Sequence, residues 1–238
     1  TQLSSLQQRE VLEAVREQEL RYVNLKNCNA LTRTILISFK LDHIKKLDVS
    51  GCSRLKAITT KSWGIGWRME IERELVMPSV THLILDNSSI KTILLQADHL
   101  LKLRVRDCLK LDNIILKASQ PKKIDLRGTT SLSQEKIKSV VDGYPNTFIF
   151  ITPTSNFSQQ KCAEFLNERF LACKAKNKGM NKLALDFLTQ SATLGWQYAQ
   201  YSLALAYEQG EGVKKDEIQA ADWYIKAANQ GHSHSVDH

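Results

Sequence analysis

Leu20-Arg21-Tyr22-Val23-Asn24-Leu25-Lys26-Asn27-Cys28-Asn29-Ala30-Leu31 is the phrase on which the fold turns. It recurs four more times. The second copy carries Ile44, Leu47, Val49, Cys52 and Leu55. The third carries Val80, Leu83, Leu85 and Ser88, with Ile90 one residue early. The fourth carries Leu100, Leu103, Val105, Cys108 and Leu111; the fifth has Pro121, Ile124, Leu126, Thr129 and Leu132. Successive copies are 24, 36, 20 and 21 residues apart. Near-fixed periods of this size mean stacked units that bury their apolar faces against one another. The centre of each phrase alternates apolar with polar residues, which is strand periodicity. The small Cys/Ser/Thr position fits a tight turn after the strand, where it can bond to neighbouring backbone.

These residues resemble the leucine-rich repeat family over about 20–151, and the resemblance implies a curved solenoid with a parallel sheet on its concave side. The 36-residue step implies an insertion within 56–79. That insertion holds Trp63-Gly64-Ile65-Gly66-Trp67, two tryptophans that either pack back onto the array or form an interface hot spot. The stretch from Leu132 to Ile151 reads as a helix capped by Ser133 and stopped by Gly143, followed by a sixth strand over 147–151. Residues 3–17, with a Ser5-x-x-Gln8 capping box and an apolar side, read as an N-terminal capping helix.

A second period begins at Ser158. Leu183-Ala184-Leu185-Asp186-Phe187-Leu188 is echoed 36 residues later by Gln219-Ala220-Ala221-Asp222-Trp223-Tyr224. Gly195 is echoed by Gly231, and Ala199 to Asp216 lies between. This stretch resembles the Sel1-like repeat, a relative of the tetratricopeptide helix pair, with one near-complete unit at 196–231 and a degenerate one before it. Ala206, Ala220 and Ala228 allow close helix approach. Gly210 and Gly212 suit the turn, and Asp216 suits a helix cap. The expected fold is an α/β leucine-rich-repeat solenoid with an N-terminal capping helix, followed by all-α Sel1-like helical-hairpin repeats. The expected boundaries are 1–19, 20–157 and 158–238.

Charge points to the candidate site. The net charge is +8, and the whole surplus falls within 20–132, where basic residues outnumber acidic ones 20 to 10. Side chains between the leucine positions of a strand share one face. They give five rows: Tyr22, Asn24, Lys26; Lys46, Asp48, Ser50; His82, Ile84, Asp86; Lys102, Arg104, Arg106; Lys123, Asp125, Arg127. One reading is a solvated face; another is a positive concavity for an acidic protein surface. Nucleic acid or anionic lipid is the third, and Tyr22 as sole aromatic on the face argues against single-strand binding. Lys26, Lys46, Lys102, Arg104, Arg106, Lys123, Arg127, Trp63 and Trp67 are therefore the expected partner-binding residues.

Enzymatic chemistry finds little support. There is no G-x-S-x-G, H-E-x-x-H or P-loop, so no catalytic, metal or cofactor residue is assigned. His232, His234 and His238 invite a metal reading only weakly. Cys28, Cys52 and Cys108 recur at one repeat position and read as core. Five cysteines without framework spacing fit a reduced, cytosol-like compartment. No run of 18 apolar residues implies a membrane span. The chain opens at Thr1 and reads as a piece of a longer one. The resulting expectation is a non-catalytic scaffold or adaptor for an acidic protein partner. Families with either repeat serve assembly, and their combination resembles secreted effectors of intracellular bacteria, which would place this chain in a host cytosol. The alternatives are a nucleic-acid or anionic-surface binder, or the targeting region of a larger enzyme such as a ubiquitin-ligase substrate adaptor.

Overall fold

Each apolar phrase forms one short strand, and the strands stack in parallel. They are β1 (Tyr22–Asn24), β2 (Lys46–Asp48), β4 (His82–Ile84), β6 (Lys102–Arg104) and β8 (Lys123–Asp125), joined by β9 (Phe148–Phe150). Together they make a six-stranded sheet in the order β1-β2-β4-β6-β8-β9. The computed structural model describes residues 7–10, 13, 20–37, 39, 41–59, 77–154, 157–177 and 179–230. Two compact units emerge, Thr1–Asn156 and Phe157–His238.

The register aligns equivalent phrase positions: Val23, Leu47, Leu83, Leu103, Ile124 and Ile149 are mutual neighbours. All six are buried. The closing residues Leu31, Leu55, Ile90, Leu111 and Leu132 are fully inaccessible, so the early Ile90 still fills its slot. Such burial is worth roughly 1.5–3 kcal/mol per side chain, and it repeats in every unit.

One turn conformation makes the stacking possible. Asn27, Gly51, Asn87, Asp107 and Gly128 all have φ between 52° and 73°. They occupy one repeat position, immediately before the Cys/Ser/Thr residue. Left-handed backbone favours Gly, then Asn and Asp, and these are the residues found there. Their N–H groups continue the ladder: Asn27 donates to Ser50 O (2.7 Å), Gly51 to Asp86 O (2.7 Å), Asn87 to Arg106 O (2.8 Å) and Asp107 to Arg127 O (2.9 Å). In the last unit Gly128 N–H donates to Thr152 Oγ1 at 2.9 Å instead. The next residue bonds backbone as its type suggested. Cys52 Sγ donates to Leu25 O (3.1 Å), Cys108 Sγ to Leu85 O (3.0 Å) and Thr129 Oγ1 to Leu126 O (2.6 Å).

The phrase pattern predicts one strand in each unit, but three units carry a second. β3 (Ala57–Thr59), β5 (Thr92–Gln96) and β7 (Asn113–Lys117) form a separate parallel sheet in the order β3-β5-β7. The first and fifth phrases are followed by helices instead, α1 (Arg33–Ile37) and α2 (Gln134–Gly143). Ser133 caps α2 by accepting from Lys136 N–H, and Ile137, Val140 and Val141 form its buried face. Gly143 ends this helix as the sequence indicates, though not in a left-handed turn. It is the last helical residue, and Tyr144 caps the end with φ −131°.

Residues 7–10 are helical, and Gln8 Oε1 accepts from Ala30 N–H at 3.1 Å, which ties this segment to the first phrase. Glu13 is helical as well, and the remaining residues of the expected capping helix lie outside the described ones. So do Trp63, Trp67 and the three C-terminal histidines.

The second unit is all helical: α3 (Gln159–Asn177), α4 (Lys182–Thr193), α5 (Gln197–Gln209) and α6 (Glu217–Ala228). Asn181 and Asp216 cap α4 and α6, accepting from Ala184 N–H (2.8 Å) and Gln219 N–H (3.0 Å). Gly210 closes α5 in the left-handed conformation. Ala204, Ala220 and Tyr224 form a buried cluster with Tyr201, Leu205, Tyr207 and Trp223 against it. Small residues let α5 and α6 approach while the aromatic rings fill the flanks. Tyr201 and Tyr224 lie 5.6 Å apart, ring centre to ring centre. Tyr224 OH donates to Glu208 Oε2 at 2.8 Å.

Candidate functional site

The face of the six-stranded sheet opposite the buried leucine row carries three columns of side chains. The register sets the first as Tyr22, Lys46, His82, Lys102, Lys123 and Phe148. The second is Asn24, Asp48, Ile84, Arg104, Asp125 and Phe150. The third, one step beyond the strands, is Lys26, Ser50, Asp86, Arg106 and Arg127, whose units the turn hydrogen bonds join. The fold thus brings together all seven basic residues singled out from the sequence.

Their charges are not equivalent. Asp48, Asp86 and Asp125 are buried and engage the basic side chains of the second and third columns. Asp125 is wholly inaccessible. It accepts from Arg106 Nε (2.7 Å) and from Arg127 Nε (2.9 Å) and NH2 (2.8 Å). Burial alone would raise its carboxyl, but the hydrogen bonds and charges of Arg127 and Arg106 together hold it below the ordinary value. Arg104 Nε pairs with Asp86 Oδ2 at 2.6 Å, and Lys26 Nζ lies 3.6 Å from Asp48 Oδ2. The carboxylates also fix the turns: Asp86 Oδ1 accepts from Arg106 N–H (3.0 Å), and Asp48 Oδ1 from Ser50 Oγ (2.6 Å). Three buried carboxylates therefore balance most of the charge of Lys26, Arg104, Arg106 and Arg127. A buried pair of this kind orders structure more than it attracts a distant partner.

The first column differs. Lys46 and Lys102 are exposed and make no ion pair among the described residues. Lys123 Nζ sits 4.4 Å from the centre of the Phe150 ring. His82 lies between Lys46 and Lys102 on the central strand pair. Thr81 Oγ1 donates to Lys45 O at 2.8 Å, so its oxygen is left to accept from His82 Nδ1 at 2.9 Å. That assigns the proton of the neutral imidazole to Nδ1 and leaves Nε2 with its lone pair. Burial, then Lys102 and Lys46, lower the His82 pKa. The imidazole is therefore neutral near pH 7 and gains charge only in acid.

From the five phrases Tyr22 is the only aromatic on this face. Phe148 and Phe150 correct that expectation. They form a sixth row beside Lys123 and Arg127, with Arg127 Cζ 5.1 Å from the Phe150 ring centre. The alternation Phe148-Ile149-Phe150 carries the signal in the sequence, but the rest of the phrase is missing around it.

The thiols offer no activated nucleophile. Burial raises the pKa of Cys28, Cys108 and Cys173, and pushes Cys52 and Cys162 to about 12. No group of three or more metal-ligating side chains is assembled among the described residues. No helix among them is long and apolar enough to cross a membrane.

Comparison with known proteins bears on the second unit. The Sel1 repeat family matches residues 197–232, a span that contains α5 and α6. A solved Sel1 repeat protein from Oxalobacter formigenes is similar at 30% identity over 34% of this chain and 34% of its own, with a TM-score of 0.29. The chain thus spans about a third of that protein's length. No curated protein matches. Sel1 repeats generally mediate protein–protein interaction, and the family is generally non-catalytic.

Proposed function

We propose that this chain is a non-catalytic protein-interaction scaffold. In this reading the first unit is a leucine-rich repeat array, and the exposed face of its six-stranded sheet receives an acidic protein surface. The second unit, with its Sel1 repeat, docks a further protein. The observation that carries the reading is the first column: Lys46, Lys102 and Lys123 stand on stacked strands of one face with no carboxylate paired to them among the described residues. Long-range attraction comes from charge that is not already neutralised nearby. Trp63 and Trp67 remain candidate partner-binding residues. The pairing of two repeat classes supports a secreted bacterial effector acting in a host cytosol.

Association kinetics test the proposal. A partner isolated from cell lysate is measured against wild type and against Lys46→Glu/Lys102→Glu. Both lysines are exposed, so reversal leaves the core intact. Arg104 and Arg106 are poorer choices, because their reversal would strand buried carboxylates. At low salt the double variant should associate about tenfold more slowly or worse, with a flatter salt dependence. Equal rates at every ionic strength would remove this face from the interaction. Phe148 and Phe150 give a second reading, single-stranded nucleic acid, some weight through base stacking. Tight binding of single-stranded DNA with no protein captured would favour it.

A further inference from the structure

We infer that the occupant of this face is an acidic α-helix lying across the strands, with carboxylates repeated once per turn along one side. The inference rests on the reading of the face as a protein-binding surface, and it adds the partner's secondary structure and its orientation.

The argument is one of spacing. Parallel strands lie about 4.8 Å apart, so the first column repeats at that interval across β2, β4, β6 and β8. Lys46 and Lys102, two strands apart, are separated by about 9.6 Å, and Lys123 follows one strand later. An α-helix rises about 5.4 Å per turn. Acidic residues at positions i, i+4, i+7 and i+11 form one stripe and span about 16 Å, against about 14 Å from β2 to β8. The flexible stems of the lysines absorb so small a difference. An extended segment presents same-side residues only every ~6.6 Å. Its third acid would already be about 4 Å out of step with the column. A strand therefore falls out of register where a helix stays in.

The rest of the face fits the same orientation. Tyr22, 72% exposed, and Phe148 stand at the two ends of the column, where apolar residues of the helix would meet them. The ion-paired second and third columns form a rigid floor beside the stripe and add little net charge of their own.

Fluorescence anisotropy of labelled synthetic peptides titrated with the whole chain tests the inference. Three peptides share length and net charge. One is a stabilised helix with glutamates at i, i+4, i+7 and i+11; one is an equally helical peptide with the glutamates spread around its circumference; one is held extended by prolines. The striped helix should bind at least tenfold more tightly than either of the others. Lys46→Gln and Lys123→Gln should each weaken it several-fold, while Lys110→Gln, on an exposed turn off the face, should not. Circular dichroism of the variants establishes that they fold.

Equal binding of all three peptides would overturn the helical occupant yet leave an acidic protein partner standing. Tighter binding of the extended peptide would replace the helix with a strand. Binding of heparin or single-stranded DNA with no binding of any peptide would remove both the helix and the protein-binding reading. Failure of every probe would do the same.

Discussion

At position 128 the φ of +73° admits glycine, and a Cβ built there would collide with Asp107 Oδ1 and come within 3.0 Å of Asp107 Cα. Gly51 faces Asn27 in the same way toward the N-terminal end of the array. Two costs therefore add in Gly128→Ala, left-handed strain and displacement of the preceding unit, for an expected loss of about 1–3 kcal/mol. Gly143 is the contrast: a Cβ built there meets no atom within 4 Å, and the residue sits in α2. Gly143→Ala should be neutral or stabilise by about 0.5 kcal/mol. Urea denaturation of the two variants checks both, and equal effects would refute the assigned turn. Asp125 gives a second case. Asp125→Asn keeps its shape but removes the charge from between two arginines, which should cost about 3 kcal/mol at neutral pH. The folded carboxyl titrates below its ordinary 3.8, so its contribution is complete above that value and fades as pH falls through the folded one. The gap between wild type and variant should hold steady from pH 7 to near 4 and narrow below. A gap that closes already at pH 6 would mean another group is responsible.

Among the elements, the packed pair α5 and α6 gives the clearest test of what the helical spacing means. Leu203 is 1% exposed on α5. Leu203→Ala removes a buried side chain from a well-packed site and should cost roughly 2–5 kcal/mol, read as a lowered midpoint of thermal unfolding followed by circular dichroism. A loss under 1 kcal/mol would place Leu203 at a surface. The caps of this unit are legible in the sequence, because a cap is a local event: Asp216 accepts from a residue three positions on. The strands of the second sheet are harder to read. β3 has only three residues, and so short an alternation is indistinguishable from a turn until β5 supplies its partner. The helix ends at Gly143 as the sequence indicates, but the glycine itself stays helical. Glycine permits a left-handed cap without requiring one, and neighbouring contacts decide which conformation is taken.

For the molecule as a whole, two unlike periods in the sequence mark two kinds of stacking, and each unit is built by its own rule. In the first, the order of phrases became the order of strands, so residues far apart in sequence formed three columns. Which residues share the face was legible, since strand side chains alternate with a period of two. The left-handed position was written plainly as Asn27, Gly51, Asn87, Asp107 and Gly128, although only the φ angles gave it meaning. The charge state of the face was not legible. Counting residues weights Arg106 and Lys102 equally, yet Arg106 meets the buried Asp125, 19 residues away, while Lys102 meets none among the described residues. Local periodicity alone sets the repeat, the burial of its leucine positions and the membership of the exposed face. Which cations are neutralised and which can act at a distance is settled in three dimensions, because an electrostatic interaction depends on separation and burial in space, and neither is a property of position along the chain.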